Sequence, residues 1–303
     1  MNRSNQKKYI RDKGGIEFNQ RRSEHIGEIM RIATTDVVTV PPTMTIMGAV
    51  KTMTRYGCRR LPVTDAGTNK LMGIVTSLDI IDFMGGGDKN QLLVGKYNCN
   101  IIAGINAEVR EIMSEDPISI TKDLSIIQAV EILKGESIGA LPLIDKSGRV
   151  IGIVTVRDFV EEVRSNEAIG VKLVGDYMNH SITTASKETP IKKIAKIMVG
   201  NRFHRIPITN EDGKLIGLVT STDIINYISS GEIFEKLITG DLREASLLPV
   251  EIITRREVLT TTADARLGDV ATLMMEHNIG ALPVVEDGDL IGIITEHDLL
   301  DAF

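Results

Sequence analysis

One short pattern occurs four times along this chain of 303 residues. Each copy starts with an apolar residue and a proline. After several intervening residues it continues with glycine, two apolar residues, threonine, two variable residues and aspartate. The four prolines are Pro62, Pro142, Pro207 and Pro283, and the aspartates that follow are Asp79, Asp158, Asp223 and Asp298. A motif repeated in register indicates one supersecondary unit used four times. A unit of about 55 residues buries little surface alone, so we expect the units to pair.

The residues upstream of each proline predict the same helix in every copy. Apolar side chains stand at positions spaced i, i+3, i+4 and i+7, which places them on one face of an amphipathic helix. The four sets are Ile46, Ala49, Val50 and Met53; Ile126, Ala129, Val130 and Leu133; Ile191, Ile194, Ala195 and Met198; and Leu267, Val270, Ala271 and Met274. We interpret these residues as core.

Each copy is therefore predicted to form an α+β unit of the order αβαββα. A second strand begins near the apolar–proline step, because a residue before proline is held extended and proline suits a strand start or edge. A polar turn leads to the third strand, and the last helix begins at Thr-x-x-Asp. The short first strands are expected at Val37–Val40, Ile118–Ile120, Ile182–Thr184 and Val258–Thr260.

Alternate copies are more alike than neighbouring copies. The first and third have two cationic residues before the apolar–proline step, whereas the second and fourth share Ile-Gly-Ala-Leu-Pro. Doubling of a two-unit module explains this alternation. The first module is predicted at 23–166, with repeats at about 23–86 and 105–166, and the second at 167–303, with repeats at about 170–230 and 246–303.

Composition argues against several classes of protein. The net charge of −6 and pI near 5.5 are unlike a surface made for nucleic acid. Two cysteines, Cys58 and Cys99, are too few for a disulfide framework or a Cys-rich zinc site and suit a reducing compartment. We find no apolar run near the roughly 20 residues that cross a bilayer and no signal-peptide core. We therefore expect a cytoplasmic protein without a membrane partner, with aliphatic cores, since Trp is absent.

Residues 1–22 differ in charge from the remainder of the chain. They contain seven Lys or Arg residues against two acidic ones, together with Gly14-Gly15 and little apolar periodicity. We interpret this segment as a flexible, solvated basic arm. It is the one sequence feature in favour of a nucleic-acid partner, which we do not expect.

The motifs, the helix stripe and the alternation together resemble cystathionine-β-synthase-type (CBS) repeats. After residue 22 the chain is similar to archaeal four-CBS proteins that resemble the γ regulatory subunit of AMP-activated protein kinase. The resemblance implies two Bateman modules, in each of which two units pack sheet against sheet about a pseudo-twofold axis. It also implies a flat disk with up to four clefts for adenosine nucleotides. One chain forming one disk is favoured, and a homodimer is the alternative.

The Thr-x-x-Asp motifs become candidate ligand sites in the light of this resemblance. A carboxylate can accept both hydroxyls of a ribose, and the adjoining helix N-terminus favours an anion such as phosphate. The ribose candidates are Asp79, Asp158, Asp223 and Asp298, and the phosphate candidates at these helix starts are Thr76, Ser77, Thr155, Thr220, Ser221 and Thr295. The alternative is structural, because Thr-x-x-Asp can close its own helix as a capping box.

The basic pairs of the first and third repeats favour a phosphorylated ligand. Cationic side chains can bind phosphate oxygens, and in the kinase γ subunits His-Arg at this place contacts nucleotide phosphates. The matching residues here are Arg59, Arg60, His204 and Arg205. The second and fourth repeats have Gly-Ala instead, so we expect the occupied sites to use Asp79 and Asp223. The residues expected on the nucleobase side are Thr39, Ser119, Thr184 and Thr260.

We find no motif that indicates catalysis. The sequence lacks a Gly-x-x-x-x-Gly-Lys-Ser/Thr phosphate loop, a nucleophile elbow and close histidine spacing for a metal. We predict a non-enzymatic regulatory protein, without catalytic or metal-ligating residues, that senses AMP, ADP or ATP and transmits the ligand state to an unidentified protein partner. The alternatives are a structural scaffold without a ligand and a protein that binds S-adenosylmethionine, although the cationic pairs favour phosphate over a sulfonium.

Overall fold

A computed structural model describes residues 28–232 and 247–303 of the chain. The predicted basic arm at 1–22 lies outside the described residues. The α-helices of the described part are α1 Ile29–Ile32, α2 Ile46–Tyr56, α3 Ser77–Ile81, α4 Asn90–Gly95, α5 Ile101–Ile105, α6 Ile126–Gly135, α7 Asp158–Ser165, α8 Glu167–Gly170, α9 Ile191–Asn201, α10 Ser221–Ser230 and α11 Leu267–Glu276. The strands are β1 Arg60–Thr64, β2 Leu71–Thr76, β3 Ser114–Glu115, β4 Ala140–Ile144, β5 Val150–Thr155, β6 Arg205–Thr209, β7 Leu215–Thr220, β8 Ala281–Glu286 and β9 Asp289–Thr295.

The four striped helices form where the sequence predicts them, as α2, α6, α9 and α11. Fifteen of the sixteen stripe residues are buried, and Ile126 is partly buried against the core. Local capping fixes the ends of α2, because the Thr45 hydroxyl accepts a hydrogen bond from the Gly48 amide at 3.0 Å and Gly57 ends the helix with φ +61°. Burial of the apolar stripe then holds each helix on its hairpin.

Each repeat contains one antiparallel hairpin, formed by β1–β2, β4–β5, β6–β7 and β8–β9. The prediction of a separate first strand is wrong. Each repeat has a single parallel bridge at this place, which involves the last residue of the predicted strand in the first two repeats and the residue after it in the other two: Val40–Val63, Ile120–Leu143, Ala185–Ile208 and Thr261–Val284. The chain turns into the striped helix directly after the bridge, and in the first repeat Pro41 and Pro42 have no amide hydrogen with which to extend the ladder.

Paired repeats exchange their leading segments. Thr34, in the leading segment of the first repeat, bridges to Ile153 of the second, while β3, in the leading segment of the second repeat, pairs with β2 of the first. The third and fourth repeats make the same exchange, with bridges between Asn179 and Ile293 and between Leu218 and Arg255. Each pair is therefore joined reciprocally, as a module with twofold character.

The two modules meet through helices. The helix α2 packs on α10, α9 packs on the turn at Asp82–Gly86, and α7 packs on α11. One hydrophobic core spans the first and third repeats as a result. The contact is close at Gly86, where a Cβ atom would lie 2.8 Å from Cγ2 of Val199. The four repeats thus form a ring, in which strand exchange joins the first to the second and the third to the fourth, and helix packing joins the first to the third and the second to the fourth.

Candidate functional site

The cationic pairs at the starts of β1 and β6 meet at the centre of the ring. Nη2 of Arg60 lies 3.5 Å from Nε2 of His204, and Nδ1 of His204 lies 3.4 Å from the Ser221 hydroxyl. The buried Ser77 hydroxyl in turn lies 3.2 Å from that of Ser221. Because the second residue of each pair is the first residue of its strand, packing of the first repeat on the third brings both pairs together.

A glutamate from the fourth repeat lies among these cations. The Glu296 carboxylate is 2% exposed and accepts hydrogen bonds from Nη2 of Arg59 at 2.9 Å and from Nη1 of Arg157 at 2.7 Å. Arg157 also donates to the carbonyls of Met274 and Ile279, both at 3.0 Å. We call Arg59, Arg60, Arg157, His204, Arg205 and Glu296 the central cluster.

The charges of the central cluster affect one another. Burial alone would raise the pKa of the Glu296 carboxyl, but the guanidiniums of Arg59, Arg205 and Arg157 outweigh it and lower the pKa. Burial and the Arg59 charge lower the pKa of Arg60 to about 9. Burial and neighbouring arginines also lower the pKa of Arg205 to about 10 and hold that of His204 well below its ordinary value. At neutral pH Arg60 and Arg205 are therefore charged and His204 is neutral.

The Gly-Ala step of the second and fourth repeats makes room for this cluster. A Cβ atom on Gly139 would lie 2.7 Å from Cζ of Arg60. A Cβ atom on Gly280 would lie 2.8 Å from Nη2 of Arg205 and 2.8 Å from Oε2 of Glu296. Heavy-atom contacts this short are repulsive. The glycines of one repeat type therefore accommodate the arginines of the other, which gives the sequence alternation a physical cause.

The larger cavity, of about 500 Å³, opens from the central cluster into the second module. Ligand sites of small molecules have this size. The cavity wall carries the Asp298 carboxylate beside Thr295 and residues of the central cluster. The arginines on the wall are Arg59, Arg60, Arg202 and Arg205, and the wall also includes the neutral His204. Ile182, Pro207 and Ile293 supply apolar parts of the wall.

A second cavity, of about 480 Å³, opens into the first module. Its wall carries Asp79 and Thr76 together with the apolar side chains of Ile74 and Ile118. It shares Arg60, Arg202 and His204 with the larger cavity. Each cavity therefore has a motif aspartate on its wall, and the two share Arg60 and Arg202.

Comparisons with known proteins identify the family of this fold. The family model described as "CBS domain" matches residues 26–86, 109–165, 174–230 and 250–303. The chain is a CBS-domain protein. It is 39% identical to an uncharacterized protein of Methanocaldococcus jannaschii, over 91% of this chain and 98% of the relative. The crystal structure of that relative, described as a candidate archaeal homologue of the γ subunit of AMP-activated protein kinase, superposes with a TM-score of 0.86 at 38% identity, covering 90% of this chain and 99% of the other.

A further relative has the same extent. An uncharacterized 33.4 kDa protein of Thermofilum pendens is 28% identical over 86% of both chains. Within the described residues, no helix is long and apolar enough to span a bilayer.

The four motif aspartates of the CBS repeats differ in their partners. In the first and third repeats the capping boxes are complete, and a further cation occupies each carboxylate: Lys89 contacts Asp79, and Nε of Arg255 donates to Asp223 at 2.7 Å. In the second repeat, Asp158 accepts hydrogen bonds from the amide and hydroxyl of Thr155. The structural interpretation of Thr-x-x-Asp is therefore supported at the first and third repeats.

Asp298 of the fourth CBS repeat is differently placed. Its Oδ2 accepts a hydrogen bond from the Thr295 amide at 2.7 Å, and among the described residues Oδ1 accepts none. Burial raises the pKa of this carboxyl, against the opposing effect of the Thr295 hydrogen bonds. Asp298 lines the larger cavity, whereas Asp158 and Asp223 line neither of the two cavities. The geometry favours Asp298 over Asp223 as a ribose ligand, and the choice of Asp79 and Asp223 stays a prediction.

Neither cavity is lined by the residues predicted for the nucleobase side, Thr39, Ser119, Thr184 and Thr260. Ile118 and Thr183, which adjoin Ser119 and Thr184 in the chain, line the cavities instead. Of the predicted phosphate residues, Ser77 and Ser221 hydrogen-bond to each other, while Thr155 and Thr220 act as partners of their own aspartates.

Glu296, Arg157 and Arg202 are cluster or cavity residues that the sequence analysis did not identify. Arg202 follows α9 in the left-handed conformation, with φ +56°, and lines both cavities. A signal was present for Glu296, because the residue after the motif threonine is Ser, Val and Ser in the other three repeats. An acidic residue at a helix start is common enough to hide such a departure.

Proposed function

We propose that this CBS-domain protein is a regulatory protein that binds an adenosine nucleotide in the larger cavity. The observation that carries this proposal is a carboxylate, Asp298, on the wall of the same cavity as Arg60, Arg205 and His204. A carboxylate oxygen that has no partner can accept ribose hydroxyls, and guanidiniums bind phosphate oxygens in bidentate fashion. The apolar part of the wall suits a nucleobase.

The origin of the wall residues suggests how the bound state is transmitted. Arg59 and Arg60 belong to the first module, whereas Asp298 belongs to the second, so one ligand contacts both. A ligand that interacts differently with two arrangements of the modules shifts their populations. We infer that a protein partner, or a second copy of this chain, detects that shift. No chemical step is part of this function.

Binding is tested by thermal shift with AMP, ADP, ATP, S-adenosylmethionine and NADH. A ligand at 100 times its Kd stabilises the native state by about 2.7 kcal/mol, which raises Tm by several degrees for a chain of this size. We expect a shift with at least one phosphorylated ligand and a smaller one with S-adenosylmethionine, because the cluster is cationic. Absence of any shift across the panel would favour the scaffold alternative.

The variant Asp298→Asn tests the site itself. Loss of a charged hydrogen-bond acceptor for the ribose should weaken nucleotide binding about 10- to 100-fold in isothermal calorimetry. Asp289→Asn, an exposed aspartate in the last hairpin, is the matched control and should bind as the parent does. If Asp223→Asn abolishes binding while Asp298→Asn leaves it intact, the ligand uses the third repeat and the larger cavity is not the site.

A further inference from the structure

The position after the motif threonine distinguishes the fourth repeat. Its occupants are Ser77, Val156, Ser221 and Glu296. The two serines hydrogen-bond each other, and Val156 is buried in the core of the second repeat. Closing the helix requires only the threonine and the aspartate, so capping does not explain a glutamate at this position.

Glu296 lies in the wall of the larger cavity. Its carboxylate is held by Arg59 on one side and Arg157 on the other, and Gly280 leaves space beside it. Removing a carboxylate from water is costly unless it is paired and hydrogen-bonded. The two guanidiniums meet that requirement and fix the anion in place.

The carboxylate divides the cations of the central cluster into two groups. Arg59 and Arg157 are ion-paired to Glu296. Within the described residues, neither Arg60 nor Arg205 has a carboxylate oxygen within the 4.0 Å of an ion pair. The cluster thus presents two guanidiniums to a ligand, and its own anion already occupies the other two.

We propose that Glu296 is a specificity residue, a fixed internal anion at the place of a distal phosphate, which makes the cavity selective for a nucleoside monophosphate over the di- and triphosphate. This inference rests on the proposed function. A single phosphate can bind Arg60 and Arg205 while Glu296 keeps its partners. Each further phosphate must come close to the carboxylate or displace it from Arg59 and Arg157, and like charges in a poorly screened cavity repel strongly.

The test is isothermal calorimetry of the full chain with AMP, ADP and ATP, on the parent and on Glu296→Gln. The glutamine keeps an acceptor for the arginines and removes the charge. We expect the ratio of the ATP to the AMP dissociation constant to fall by about tenfold or more, with ADP between them, because one like-charge repulsion is removed. Glu276→Gln, at an exposed glutamate, is the control and should leave the ratio unchanged.

A second variant, Glu296→Ser, keeps the test usable if Glu296→Gln fails to fold. Serine occupies the same position in the first and third repeats, so this fold accepts it there. A ratio unchanged within twofold in both variants, with nucleotide still bound, overturns the role of Glu296 and leaves the proposed function standing. Failure of the parent and both variants to bind any of the three nucleotides overturns the proposed function, and the role of Glu296 with it.

Discussion

His204 is the member of the central cluster whose ordinary pKa lies nearest to neutral pH. Its ring lies between Arg60 and the Ser221 hydroxyl, and burial together with the adjacent arginines holds its pKa well below the ordinary value. A guanidinium can only donate, so Nε2 of the neutral ring faces Arg60 as an acceptor, and the one N–H of the ring is on Nδ1, toward the Ser221 hydroxyl.

This environment predicts how the stability of the ligand-free protein depends on pH. The unfolded chain takes up a proton on His204 near pH 6.5, whereas the native state resists that proton. The contribution of the neutral His204 to the free energy of unfolding is therefore fully present above pH 6.5. It decreases as the pH falls from there toward the lower pKa of the native state. His204→Gln should lose less Tm than the parent between pH 7.5 and 5.0.

Circular dichroism melts at several pH values measure this difference. His277→Gln, at an exposed histidine, is the control and should follow the parent curve. Identical slopes for the parent and His204→Gln would show that the imidazole is not the group that resists protonation. The nucleotide should also bind more tightly at lower pH, because a phosphate favours the protonated ring.

Elements with a clear periodicity were predictable from the sequence. The striped helices, the hairpins and the capping threonines depend on residues close along the chain. The extent of the first strand was not predictable from the sequence. Its single bridge, such as Val40–Val63, depends on how the leading segment meets the hairpin in the folded repeat. The site shows the same division: Arg59, Arg60, His204 and Arg205 were identified from their local motif, whereas Glu296 and Arg157 join the cluster only when distant repeats pack.

The Gly-Ala step of the second repeat gives a prediction for one strand start. In Gly139→Ala, the new methyl group would overlap the Arg60 guanidinium, which sits at the end of a flexible side chain and can move aside. We expect little loss of stability but about tenfold weaker binding of the nucleotide, because Arg60 leaves the phosphate site.

Calorimetry and a thermal melt of the same variant separate these two effects. Gly135→Ala, where a Cβ atom meets nothing within 4 Å, should leave binding unchanged and slightly stabilise α6. Full nucleotide affinity in Gly139→Ala would mean that the position of Arg60 does not matter to the ligand.

Arg157 contributes to the contact between the two modules. This side chain connects the second repeat to the fourth through Glu296 and through two carbonyls at and beyond the end of α11, Met274 and Ile279. Together with the packing of α7 on α11, it closes the ring on the side opposite to the contact between the first and third repeats.

Arg157→Ala should therefore weaken the contact between modules. Losing these charged hydrogen bonds, and leaving the Glu296 carboxylate with one fewer partner, should cost about 2–3 kcal/mol, or about 4–10 °C in Tm. Arg164→Ala, within α7 and with a surface partner only, should change stability by less than about 0.5 kcal/mol. Equal melting temperatures for the two variants would contradict a bridging role for Arg157.

The exchange of leading segments has a consequence for how such chains can evolve. A repeat removed from its partner would lose the segment that pairs with its hairpin, and the exposed strand edge would be open to pairing with other chains. A single extra repeat added to an existing pair would have the same unpaired strand edge. The smallest unit that can be duplicated is accordingly a reciprocal pair, and proteins of this architecture should lengthen by two repeats at a time.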